Sequence, residues 1–226
     1  MYRRLWVPAL LMSALFPVIM MYFFKLAGIY DSSRIAYLVT GNAVLSLVFG
    51  PVTTLAERLS WAKVNNEVEY YGALPVQRWM LSSSVLVIAA LSSLPSVLVV
   101  LIAGSQLYDV HFHLSLGFFV IALLSMLSMT GVGAAIGVFS PNPSVAALLT
   151  NFVLGVTLLL SPVFVPTETL APALAYLSSI MPLTYAAHGL RTVLFSGVFP
   201  LHDAAMLAIS SIVLGYISTV RMDWRQ

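Results

Sequence analysis

Long apolar stretches nearly free of charge limit what this chain can become. A helix needs roughly 20 apolar residues to cross a bilayer. Runs near that length cover Leu5–Phe24, Ile35–Leu55, Trp79–Ala103, Leu114–Phe139, Val145–Phe164 and Ala204–Val220. Charged residues make up 8% of the 226, against about 25% in a soluble domain, and mean hydropathy is +0.98. The runs therefore read as spans rather than as a soluble core. The predicted class is an all-α integral membrane protein, one domain over 1–226, with six transmembrane helices. The opening MYRRLWVPALL has the basic start of a secretory signal, but its apolar run reaches Phe24 and no A-x-A site follows. It reads as an uncleaved first span.

One long polar run breaks the pattern, Trp61–Arg78, WAKVNNEVEYYGALPVQR. Wound as a helix over about 61–72, it sets Trp61, Val64, Val68 and Tyr71 on one face and Lys63, Asn66, Glu67 and Tyr70 on the other. Gly72 stops it and Pro75 confirms the stop. A short amphipathic helix between two spans lies flat at the surface, where something outside the membrane can touch it.

Between the fifth and sixth spans, Pro166, Pro172, Pro182, Gly189, Gly197 and Pro200 cut the chain into pieces too short to cross. Two short helices, about Thr169–Ile180 and Leu183–Phe195, hinged at Met181-Pro182, are predicted as a re-entrant hairpin over about 168–195. Such backbone survives at membrane depth only where protein covers it, so the hairpin should pack on the bundle.

With both termini cytoplasmic at the cell's inner membrane, Arg3, Arg4, Arg58, Lys63, Arg78, Arg221 and Arg225 lie on the cytoplasmic side and only Lys25, Arg34 and Arg191 on the outer side. That bias obeys the positive-inside rule. It puts the polar helix in the cytoplasm and the re-entrant hairpin on the outer face.

Several chemistries are unsupported. The spans carry no central carboxylate of the kind that ion-coupled pumps use, and there is no P-loop to bind ATP. No G-x-S-x-G elbow occurs, and Glu67 and Glu69, two residues apart, point away from each other on a helix. The absence of cysteine excludes disulfides and thiolate sites. Asp109, His111 and His113 have metal-like spacing but read as a polar loop, so no metal site is predicted. His188 and His202 read as packing or capping groups. The basic residues form no patch suited to nucleic acid.

Gly133-Ala-Ala-Ile-Gly137 lets helices approach closely, either within one chain or at a dimer seam. Asn42 and Asn151 either hydrogen-bond between helices or line a pathway. Pro51 and Pro95 are expected to kink their helices.

Two segments resemble a known family. Asn66–Arg78, NEVEYYGALPVQR, is similar to the coupling segment of ABC type-2 export permeases. Ser161–Arg191, SPVFVPTETLAPALAYLSSIMPLTYAAHGLR, resembles that family's signature before its last span, with P-L-T-Y followed by Leu-Arg. The resemblance implies a permease that pairs with a second copy of itself or a related permease, contacts membrane lipid, and binds no cofactor of its own. ATP and Mg would sit on a separate ABC ATPase subunit. Glu67, Glu69, Tyr70, Tyr71, Leu74, Pro75 and Arg78 would couple to that ATPase. Pro166, Pro182, Leu183, Thr184, Tyr185 and Arg191 would form the outer gate. The implied activity is export of a lipophilic, drug-like or lipid-like substrate. The alternatives are glycan export, or a non-transporting subunit that docks an ATPase.

Overall fold

The computed structural model describes residues 6–28, 32–65, 67, 78–166 and 170–221. Among them every regular element is helical: α1 (Trp6–Leu26), α2 (Ser32–Val64), α3 (Arg78–Tyr108), α4 (Leu116–Phe139), α5 (Pro143–Leu160), α6 (Pro172–Ser178), α7 (Pro182–Ser196) and α8 (Leu201–Arg221). Within the described residues, Arg34–Val64, Leu116–Phe139 and Pro143–Leu160 are long and apolar enough to cross a membrane, and α1, α3 and α8 contribute shorter apolar stretches. Large apolar side chains point outward throughout; Leu116 is 83% exposed and Leu159 80%. Water would not tolerate such a surface on a monomer. A lipid solvent does.

α2 is the hub, packing against α1, α3, α4, α5 and α7. Its buried Val39, Ala43, Val44, Leu47, Val48 and Val52 join Val97 and Val100 of α3 and Phe118, Ile121, Met126 and Met129 of α4 in one core. The glycine pair of α4 brings two helix backbones together. A Cβ on Gly133 would stand 2.6 Å from the Val52 carbonyl oxygen, and one on Gly137 2.8 Å from that of Ala56. Of the two uses open to this motif, the structure shows close packing within the chain.

Several hydroxyls of the bundle turn back on their own helix. Thr40, Ser125, Thr130, Thr157 and Ser210 each donate to the carbonyl four residues earlier, at 2.7 Å. Ser93 differs, reaching across from α3 to the Met126 sulfur of α4 at 3.5 Å. The firmer ties between helices lie at their ends. Lys25 Nζ donates to the Leu107 carbonyl (2.6 Å) and the Tyr108 hydroxyl to that of Met21 (2.7 Å), joining the C-terminal ends of α1 and α3. At the opposite end, Lys63 Nζ donates to Val138 O (2.7 Å) and Ser140 O (2.5 Å), closing the C-terminus of α4.

Where the sequence suggested a span ending at Leu55 and a separate helix from Trp61, α2 is continuous to Val64. Ala56–Ser60 holds no glycine or proline to interrupt it. The assignment of faces also changes. Trp61 and Val64 are about half exposed, while Lys63 turns inward because the α4 carbonyls need a donor. Pro51 and Pro95 lie inside α2 and α3 without ending them.

The proline-rich region forms two short helices, each opened by proline in its first turn, the position where a missing N–H is harmless. α6 is shorter than expected, Pro172–Ser178 rather than Thr169–Ile180; residues 167–169 lie outside the described residues. α7 buries Leu183, Ala186, Ala187, Leu190, Val193 and Leu194 against the bundle. It ends at Gly197, whose φ of 66° favours glycine.

Candidate functional site

The first candidate region is the end of the bundle where α2 leaves it. Arg58 grips Glu67 through two contacts, Nη2–Oε2 at 2.7 Å and Nη1–Oε1 at 3.2 Å. This forked pairing holds the carboxyl of Glu67 below its usual range, first through the hydrogen bond from Arg58. Glu67 is thus fastened to the helix before it. Glu69, Tyr70, Tyr71, Leu74 and Pro75 lie outside the described residues, and of Arg78 only the helical backbone is described. Sequence reasoning missed Arg58 and Lys63 as partners. Nine residues separate Arg58 from Glu67 across a helix end, which no periodicity flags.

The second region is the opposite end, built on α7. The Thr184 hydroxyl donates to Ser178 O (2.7 Å) and the Tyr185 hydroxyl to Ser179 O (2.6 Å), clipping α6 onto α7. Leu183 faces the core and Pro166 is half-buried in the segment between α5 and α6. The guanidinium of Arg191 stacks on the Tyr37 ring of α2, 3.6 Å from its centroid, and donates to Val163 O at 3.1 Å. Burial pushes its pKa down to about 10, which leaves it charged at neutral pH. It therefore joins α7, α2 and the segment that follows α5. The aromatic platform was not legible, since Tyr37 is remote in sequence. The segment before α4 docks here too: Phe112 meets Phe195 edge-on at 5.6 Å, and the His113 N–H donates to Leu194 O at 2.9 Å. Among the described residues no three His, Asp or Glu side chains gather as metal ligands would.

The third feature is a groove between α1 and α2 of about 460 Å³, lined by Phe16, Pro17, Leu45, Ser46, Phe49, Gly50 and Thr53. Its two hydroxyls are spent within α2: Thr53 donates to Phe49 O and Gly50 O, and Ser46 to Ala43 O. The wall offers little but hydrocarbon.

The two asparagines do not share a surface. Asn42 is fully buried and donates to Leu38 O of its own helix at 2.8 Å, leaving Oδ1 buried without a partner. Asn151 is exposed on α5. Replacing Asn42 by alanine should shift thermal stability by less than about 1 kcal/mol, because its one bond adds to a carbonyl already used by the helix. A large loss in a melting experiment would show a partner for Oδ1 that the isolated chain lacks.

Among the described residues, an all-helical bundle with a lipid-compatible surface and short proline-opened helices at one end defines an integral membrane protein. The family model for the ABC-2 type transporter matches residues 2–195, and the chain belongs to that family. It is a membrane permease subunit of an ABC transporter. No curated protein matches the sequence.

Proposed function

We propose that this permease exports a lipophilic or amphiphilic substrate, driven by a separate ABC ATPase that docks on the segment following α2. The observation that carries this reading is the unbroken α2. It runs from the core to Val64, and its Arg58 grips Glu67, so a push on the docking segment reaches the centre of the bundle through one rigid element. Glu69, Tyr70, Tyr71, Leu74, Pro75 and Arg78 would supply the rest of that contact. ATP and Mg would be held by the partner.

In this reading six helices span the cell's inner membrane with both termini cytoplasmic, and α6 and α7 cap the outer end. The apolar groove beside α2 supports hydrocarbon-rich cargo over glycans, which would want unspent hydrogen-bonding groups in the wall. The chain pairs with a second copy through α5, whose outward Leu148, Asn151, Phe152 and Leu159 set a polar group among apolar ones. Asn151 facing lipid alone would be costly.

The test is ATPase turnover of the complex with its ATPase, wild type against Glu67→Ala plus Tyr71→Ala. Turnover stimulated by lipophilic compounds should fall about tenfold or more, the effect of losing a coupling contact worth roughly 1.4 kcal/mol. If no ATPase associates with the wild type, the coupling reading is wrong. Stable docking with no stimulation by any lipophilic compound would instead favour a non-transporting subunit.

A further inference from the structure

The Asp203 carboxylate is 6% exposed, in the first turn of α8, and both its oxygens face imidazoles. His188 Nδ1 of α7 lies 2.7 Å from Oδ2, while His202 Nδ1 lies 3.7 Å from Oδ1, beyond a hydrogen bond. The His188 side chain is 62% exposed, so protons reach it from solvent. Around the pair, α7 contributes Arg191 and Tyr185, whose ring leans on His202 at 5.8 Å. α2 contributes Tyr37, already engaged by Arg191, and α4 presents no titratable side chain. From the segment before α4, His113 lies beside Gly197, at the far end of α7. Backbone contact is close as well: a Cβ on Gly189 would come within 3.3 Å of Asp203 Cβ. A small separation of α7 from α8 therefore breaks the pair.

We propose that His188 and Asp203 form a proton-operated clasp between α7 and α8, closed most firmly when His188 carries a charge. Neutral imidazole can still donate through Nδ1–H, but a charge-assisted bond to carboxylate is roughly twice as strong. The Asp203 hydrogen bond raises the pKa of His188, against smaller opposing effects from burial and from Arg191. A group whose pKa is raised by its partner contributes fully below its unperturbed value of 6.5 and loses that contribution as pH climbs through the raised value. The clasp is therefore tight in mildly acidic surroundings and loosens toward alkaline ones. Its consequence for transport rests on the reading of α7 as the outer cap: the compartment that receives the cargo would set, by its own pH, how readily that cap lifts.

Amide hydrogen exchange along α7 tests this in the purified full-length protein, corrected for the intrinsic pH dependence of exchange. Wild-type α7 should open about fivefold more often at about pH 9 than at about pH 5.5. His188→Gln, which keeps a donor but cannot titrate, should show the same opening at both. His202→Gln should retain the wild-type profile. A pH-independent wild type, or an unchanged profile in His188→Gln, overturns the clasp. A profile that disappears with His202 instead assigns the effect to the wrong imidazole and overturns it equally. Neither nucleotide nor cargo enters the measurement, so the clasp and the export reading can fail separately.

Discussion

Gly133→Leu is expected to abolish the folded bundle. Any Cβ at that position would meet Val52 backbone, oxygen at 2.6 Å and Cα at 3.1 Å, and the next contact of the seam, Gly137 on the Ala56 oxygen, follows at 2.8 Å. A flexible side chain could yield; a helix backbone held by the core of α2 cannot. Overpacking commonly costs about 1–3 kcal/mol, and a leucine here exceeds that range because α4 must leave α2 altogether. Size-exclusion profile and melting temperature in detergent are the measurements. Gly50→Leu supplies the control, since a Cβ there meets nothing within 4 Å. If Gly133→Leu elutes and melts like wild type, the α2–α4 seam is misplaced.

Lys63→Met should cost about 1.5–3 kcal/mol, the usual worth of hydrogen bonds to a charged group. Methionine keeps the length of the stem while leaving the Val138 and Ser140 carbonyls without their donor. Lys63→Glu should be worse, since it sets a carboxylate against the negative end of the α4 dipole. Lys63→Arg should recover most of the loss. Thermal unfolding of the four proteins gives the comparison, and equal midpoints for Met and Arg would sink the capping role.

The limits of α7 were legible to within a residue, because Pro182 opens it and Gly197 closes it by backbone sterics alone, whereas α6 starts at Pro172, three residues later than the sequence suggested. The polar stretch after α2 was harder. Amphipathic periodicity gave Lys63 the wrong neighbours, because its partner carbonyls lie about 75 residues away and leave no mark on local pattern. The same holds for Arg191 on Tyr37 and His188 on Asp203. Their residue types were visible, and their pairings depended on which helices the core brings together. Membership of the ABC-2 type transporter family was read from two motifs, and the family match over 2–195 bears it out.

The hydroxyls that bond back into their own helices have a mechanical meaning. In the interior, helix faces meet through dispersion contacts, which change little when one face slides a fraction of an ångström along another. A ladder of hydrogen bonds between helices would resist the same slip, each rung breaking at once. The strong ties sit at the extremities, two of them on long lysine stems that can swing while keeping their bonds. A bundle built this way is low in internal friction and leashed at both ends, the property required of parts that must move past one another many times without coming apart.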